Sequence, residues 1–295
     1  MKSFFSRLFG GGSSEPNVDP VVSYTMLEPI QVAPDLILPI AFAEHFDKIR
    51  SSARLTVKIK AIPAEDIHFR NSSFGSYPCL PKGFDYPRDK NGNFMYPLAQ
   101  INFSEFPHLE NFPKSGYLQF YIAADDMYGI SFEEKVPSDI RVLFFEESDL
   151  ASANEDLSFL DEVLGSGLSP VDEAHALSFE LKTEYGGLGD VNGLSEEDFN
   201  LNGILAANPK IKKQIEDAVY ENFSPTGHKL GGYAYFTQWD PRDAKVPQRD
   251  YILLFQMDSD DHIIWGDLGV ANFFIDPVDL ANKDFSRVFY HWDCH

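Results

Sequence analysis

Apolar and polar positions change rhythm three times along this chain of 295 residues. From Arg54 to Ile62 they alternate, with Leu55, Val57 and Ile59 set against Arg54, Lys58 and Lys60. A two-residue period predicts a strand with one wet face. Just before it, Ile40, Ala43, Phe46 and Ile49 recur at helical spacing, so a helix is expected over 40–50. From there to about residue 145, short apolar runs lie between Pro and Gly, the texture of hairpins and loops. Residues 146–172 are strongly acidic, with a helix expected over Asp156 to Leu164. Ser195 followed by Asp198 resembles a capping box, and Pro209, Ile211, Ile215 and Val219 mark a second amphipathic segment. After Pro225 the strand texture returns and runs to the end.

The two β-rich stretches match each other. Gly75-Ser76-Tyr77 pairs with Gly231-Gly232-Tyr233, and Tyr86-Pro87-Arg88-Asp89 with Asp240-Pro241-Arg242-Asp243. Leu98 through Asn102 pairs with Leu254 through Asp258, and Gly116 through Ile122 with Gly269 through Ile275. The pairs are collinear and 153 to 156 positions apart. The expected fold class is therefore α+β: a duplicated β-rich unit with mainly antiparallel sheets and a helical insertion between the repeats. Its parts are a flexible tail over 1–35 and a domain over 36–295. Within the domain, repeat one spans about 53–145, the acidic helical connection about 146–224, and repeat two about 225–295.

The same residues resemble the YwqG-like family, a bacterial domain family of unknown function. The matching pieces are Gly75 through Phe84, Pro97 through Phe103 and Gly116 through Phe120 in the first half. The second half adds Leu253 through Asp261, Trp265-Gly266-Asp267 and Asp284 through Val288. The resemblance covers about residues 36–295 and implies an α+β fold with internal duplication. It implies no reaction. Related domains beside bacterial toxin loci imply, by analogy, an immunity or interaction role.

Composition narrows the partner classes. The formal charge is −22 at pH 7, from 46 acidic and 24 basic side chains. Such a surface repels phosphate backbones, so no nucleic-acid partner is expected; a cationic or toxin-like protein surface suits it better. Cys79 and Cys294, far apart in sequence, read as reduced thiols of a cytoplasmic protein. No apolar run is long enough for a transmembrane segment. Residues 1–9 place Phe4, Phe5, Leu8 and Phe9 on one side of a short helix, a frayed tail or a foot for peripheral membrane contact. Residues 10–20 are a tether by composition.

Chemistry is sparse. Gln100 and Gln256 each lie in an apolar run, where a buried amide needs partners. They are expected to tether their own loops, to face each other across a pseudo-twofold axis, or to line a shared cleft. Asp258, Asp260, Asp261 and Asp267 form a carboxylate-rich turn beside Trp265. Their spacing is not that of an EF-hand, and an ordinary hairpin turn competes, so no metal and no cofactor are expected. Trp239 and Trp265 either frame an aromatic pocket or pack in the core. No catalytic set is recognised: Gly165-Ser166-Gly167 lacks the nucleophile-elbow context, and Gly186-Gly187-Leu188-Gly189-Asp190 lacks the lysine of a phosphate loop. The candidate binding residues are Gln100, Gln256, Asp258, Asp260, Asp261, Trp265 and Asp267. The expected function is a protein-binding or immunity-like module with an acidic cleft between repeats. The alternatives are an enzyme using carboxylates at the repeat interface, or a module for a small polar ligand.

Overall fold

The computed structural model describes residues 24–131, 138–154, 156–242 and 246–295. The apolar nonapeptide 1–9 and the tether 10–20 lie outside the described residues. Twelve strands are described: β1 Pro29–Ala33, β2 Leu36–Pro39, β3 Arg54–Pro63, β4 Ser73–Phe74, β5 Tyr96–Asn102 and β6 Tyr117–Ile122. They continue with β7 Ile140–Phe145, β8 His175–Glu184, β9 Lys229–Gly231, β10 Ile252–Asp258, β11 Val270–Ile275 and β12 Phe289–Asp293. The α-helices are α1 Phe46–Ser51, α2 Asp161–Leu164, α3 Leu201–Ala207, α4 Lys212–Phe223 and α5 Pro277–Ala281. β1 and β2 form a separate hairpin, so ordered secondary structure starts ahead of the expected boundary at residue 36.

The other ten strands make one antiparallel, nearly closed, barrel-like sheet in the order β12-β11-β10-β9-β3-β8-β4-β5-β6-β7. The alternation that predicted β3 is realised in part: Val57 and Ile59 turn into the core and Arg54 and Lys58 stay partly solvated, but Leu55 and Ile62 are exposed and Thr56 is buried. β3 pairs along its whole length with β8, from Arg54 opposite Glu184 to Pro63 opposite His175. β3 also pairs with β9, and β8 with β4. Each of these two long strands is thus bonded to the strand group that follows the other one in sequence.

The segment 146–224 was expected to be a helical insertion. It holds α2, α3 and α4, but it also contributes β8, ten residues at the centre of the sheet. Leu177, Phe179 and Leu181 alternate there with Ser178, Glu180 and Lys182. The strand period was present, but acidic and helical flanks hid it. The helix expected over Asp156 to Leu164 reduces to a 3-10 turn at Ser158–Leu160 and the single turn α2. The capping box forms as the sequence suggests: Ser195 N and Oγ both donate to Asp198 Oδ2, at 2.7 and 2.8 Å, opening a 3-10 helix at Glu196–Phe199.

Inside the barrel, aromatic rings from the two strand groups meet. Phe120 of β6 lies 4.7 Å from Phe255 of β10 and 5.0 Å from Phe273 of β11, centroid to centroid. Aliphatic side chains of β3, β5 and β9 complete this core. Outside it, Cys79, Tyr86, Met95 and Tyr121 cover β5 and β6, while Ala234, Phe236 and Phe274 cover β10 and β11. A further core joins the β1–β2 hairpin to α3 and α4 through Phe42, Phe199 and Phe223. Among the described residues no helix is long and apolar enough to cross a membrane.

Phe255 is fully buried and touches rings from three strands, β4, β6 and β11. Phe255→Ala is expected to cost about 3–5 kcal/mol in urea unfolding, the usual range for a buried aromatic. A loss of about 0.5 kcal/mol, as for a surface change, would contradict the continuous interior.

Candidate functional site

The two glutamines point out of the barrel, each into the loop that covers its own strand. Gln100 Oε1 accepts from Cys79 N at 2.7 Å, and its Nε2 donates to Phe69 O and Asn71 O, both at 2.8 Å. Gln256 repeats the pattern. Its Oε1 accepts from Tyr235 N at 2.8 Å, and its Nε2 donates to Pro225 O at 3.0 Å and Gly227 O at 2.8 Å. The structure does not bring the two amides together, because every bond each one makes is to its own side of the sheet, with Gln119 of the adjacent strand as Gln100's one side-chain partner. A one-residue register shift also recurs, between Pro97 and Ala99 in β5 and between Leu253 and Phe255 in β10.

The carboxylate-rich turn is dispersed by its own hydrogen bonds. Asp258 is buried: Oδ2 accepts from Gly227 N at 2.7 Å and Oδ1 from Ser259 N at 2.9 Å. Burial pushes its pKa up despite those donors. Asp260 is held well below the usual carboxylate range, first by His228, whose Nε2 lies 3.0 Å from Oδ2. Its Oδ1 caps the turn by accepting from His262 N and Ile263 N, both at 2.8 Å. Asp261 and Asp267 are exposed. Trp265 is fully buried against Tyr128 and Trp292, whereas Trp239 is 64% exposed, so these two tryptophans do not frame one pocket. Among the described residues, no group of three or more His, Cys, Asp or Glu side chains is placed to hold a metal ion.

Two buried ionic clusters escaped sequence reasoning. In the first, Glu184 at the end of β8 receives Lys229 Nζ at 2.7 Å and Lys58 Nζ at 2.6 Å on Oε1, and Tyr233 N at 3.0 Å on Oε2. Burial pushes the Lys229 ammonium down to about 7, against the pull of Glu184. Glu184 is itself penalised by burial, yet its two lysines hold it below its ordinary value. In the second, fully buried Arg242 bridges Asp190 at 3.0 Å and Asp240 at 2.7 Å, with its guanidinium 4.1 Å above the Phe274 ring. Gly187 makes this approach possible: at φ +63, it lies where a Cβ would sit 2.1 Å from the Tyr233 ring. The glycine-rich 186–190 loop thus delivers Asp190 to Arg242 and, through Oδ2, to Ala234 N at 2.6 Å. In sequence, Lys229 and Arg242 look like ordinary surface cations; only the topology buries them.

The open side of the barrel is the seam between the terminal strands β7 and β12, which are sheet edges and not ladder partners. It is bridged near one end, where Tyr290 Oη donates to Tyr128 O at 3.0 Å and Trp292 Nε1 to Met127 O at 2.9 Å. Alongside lies a groove of about 1150 Å³ bounded by Ile140 through Phe144 and Lys283 through His291. Among the described residues its charged lining is Arg141, Lys283, Arg287 and Asp284, and the three cations are ion-paired with Asp139, Glu146 and Asp279. None of the seven candidate residues lines this groove.

The Glu184 cluster yields an asymmetric prediction. Glu184→Gln strands the buried Lys229 and is expected to cost about 3–5 kcal/mol, whereas Lys229→Met leaves Glu184 paired with Lys58 and is expected to be neutral or stabilising. Because the folded pKa of Glu184 lies below its ordinary 4.5, its contribution is complete above that value and is lost as pH falls through the folded one. Urea midpoints measured from pH 4.5 down to 3 should therefore fall more steeply for the wild type than for Glu184→Gln. Equal slopes would count against the pairing.

Comparison with curated proteins finds no match. The family model described as a domain of unknown function (DUF1963) matches residues 72–294. That span runs from β4 to β12 and takes in both glutamines and both edge strands β7 and β12. The chain belongs to the DUF1963 family of domains of unknown function.

Proposed function

We propose that this chain is a YwqG-like protein-binding module, built from two copies of one β-rich unit, that takes a partner segment along the seam between β7 and β12. The observation that carries the reading is a pair of strand edges, unpaired among the described residues, on either side of a large groove. Free edges offer a row of main-chain donors and acceptors, and proteins that do not use them normally blunt them. Strand addition is a recurrent mode of peptide recognition for that reason. Duplication is supported by the repeated glutamine anchors, the repeated register shift, and the collinear sequence matches. An immunity-like role and a cytoplasmic setting belong to the same proposal; they rest on the family resemblance and on the two separate free thiols, Cys79 and Cys294.

A photo-crosslinking side chain placed at Leu143 in the groove is expected to capture a protein partner from a native extract. The same group placed at exposed Leu168, which does not line the groove, should not. Equal capture from both positions, or none from Leu143, would remove the seam from consideration.

A further inference from the structure

The loops that cover the first strand group leave a polar hollow between them. Residues 68–70 form one wall and residues 151–154 the other, around a space of about 650 Å³. Both walls are fixed. Gln100 Nε2 holds the carbonyls of Phe69 and Asn71, each at 2.8 Å, and Asn102 Nδ2 holds that of Arg70 at 2.9 Å. Opposite them, Lys82 N donates to Ser152 O and Asn154 N to Leu80 O, both at 2.8 Å. Arg70 joins the two walls, its Nη2 donating to Leu150 O at 2.8 Å. A frame held in this way places its side chains before a ligand arrives, which lowers the ordering cost of binding.

Donors prevail on the lining. Arg70 is half-buried and Lys82 exposed, and among the described residues neither has an ion-pair partner. His68 Nδ1 accepts from Arg70 N at 3.3 Å, so the neutral ring carries its proton on Nε2, at the free edge. Stacking on Phe69, with centroids 4.7 Å apart, fixes the plane of that ring. The side chains of Ser152 and Asn154 have no partner among the described residues. Asp156 is the carboxylate of the described lining, and its Oδ1 already accepts from Ser158 N at 3.1 Å and Ser158 Oγ at 2.7 Å. Glu155 lies outside the described residues. Two cations against one carboxylate make the described lining net positive in a chain of charge −22. At physiological ionic strength the screening length is about 8 Å, so acidic surface farther away does not cancel this local field.

The scaffold does not require these cations. Gln256 makes the same three bonds in the other cover, to Pro225, Gly227 and Tyr235, which aligns Arg70 with Thr226 and Lys82 with Gln238. That cover is built with neither charge.

We propose that the hollow is a binding site for a small phosphate monoester, with Arg70, Lys82 and His68 Nε2–H on the phosphate oxygens. The site shares no lining residue with the seam and does not depend on how the seam is read. A guanidinium fork takes two oxygens of a phosphate and an ammonium serves as a point charge for the rest. A carboxylate has only two oxygens and leaves the third donor idle. The volume exceeds a phosphate group and lies within the range of about 300–1,000 Å³ usual for small-molecule sites. Its polar rim suits a sugar better than an apolar group.

Calorimetric titration of the full chain at constant ionic strength tests this with ribose 5-phosphate, inorganic phosphate and acetate as probes. Ribose 5-phosphate is expected to bind saturably, and at least about tenfold more tightly than acetate, the scale of one hydrogen bond to a charged group. Lys82→Gln changes an exposed side chain and should weaken binding about tenfold, while Lys82→Arg should restore most of it. Arg70→Gln should abolish binding, with circular dichroism confirming the fold. If inorganic phosphate binds as tightly as ribose 5-phosphate, the phosphate site stands and the sugar subsite is overturned. If acetate binds as tightly as either, phosphate selectivity is overturned. No saturable binding of either phosphate, or binding unchanged in Lys82→Gln, overturns the site.

Discussion

The ladder between β3 and β8 is the constraint on which the rest of the barrel depends. Ten residue pairs run through it without interruption. On its outer sides, β3 carries β9 and the strands after it, while β8 carries β4 and the strands after that. Removing either long strand would leave the two four-stranded groups joined only by side-chain contacts such as Phe120 with Phe255 and Phe273. Those rings need the ladder to face each other, because a one-residue slip would turn Val57 and Ile59 out of the core.

Charge is buried where layers must be tied together. Glu184 closes β8 by drawing in Lys229 from β9 and Lys58 from β3, three adjacent strands on one carboxylate. Arg242 fastens the 186–190 loop to the outer cover of β10 and β11. Such clusters are weak contributors to stability but strict ones, since a missing partner leaves a charge without compensation. The glutamines do the neutral version of the same work. Gln100 and Gln256 satisfy three loop backbone groups each and so fix the cover over β5 and over β10.

Much of the frame was legible in the residues. The alternation at 54–62, the capping box at Ser195 and Asp198, and the strand runs holding Gln100 and Gln256 all express local periods or local bonds. β8 was missed although Leu177, Phe179 and Leu181 alternate cleanly, because its neighbourhood reads as acidic and helical. The carboxylate turn was visible as composition, but not its dispersal: Asp258 turns inward, Asp260 caps its own turn, and Asp261 and Asp267 face solvent. The seam was invisible for a different reason. Whether Arg141 and Arg287 share a groove depends on which strands end the sheet, and no local pattern carries that information.

The crossed bonding of β3 and β8 also governs the order of assembly during translation. β3 leaves the ribosome with neither of its neighbours, and both β8 and β9 are made more than a hundred residues later. At a synthesis rate of roughly 5–20 residues per second, it waits on the order of ten seconds, a bare template for any passing strand. Its polar face, with Arg54, Lys58 and Lys60, is then a safeguard for the nascent chain, since charges on an unpaired strand discourage premature sheet formation.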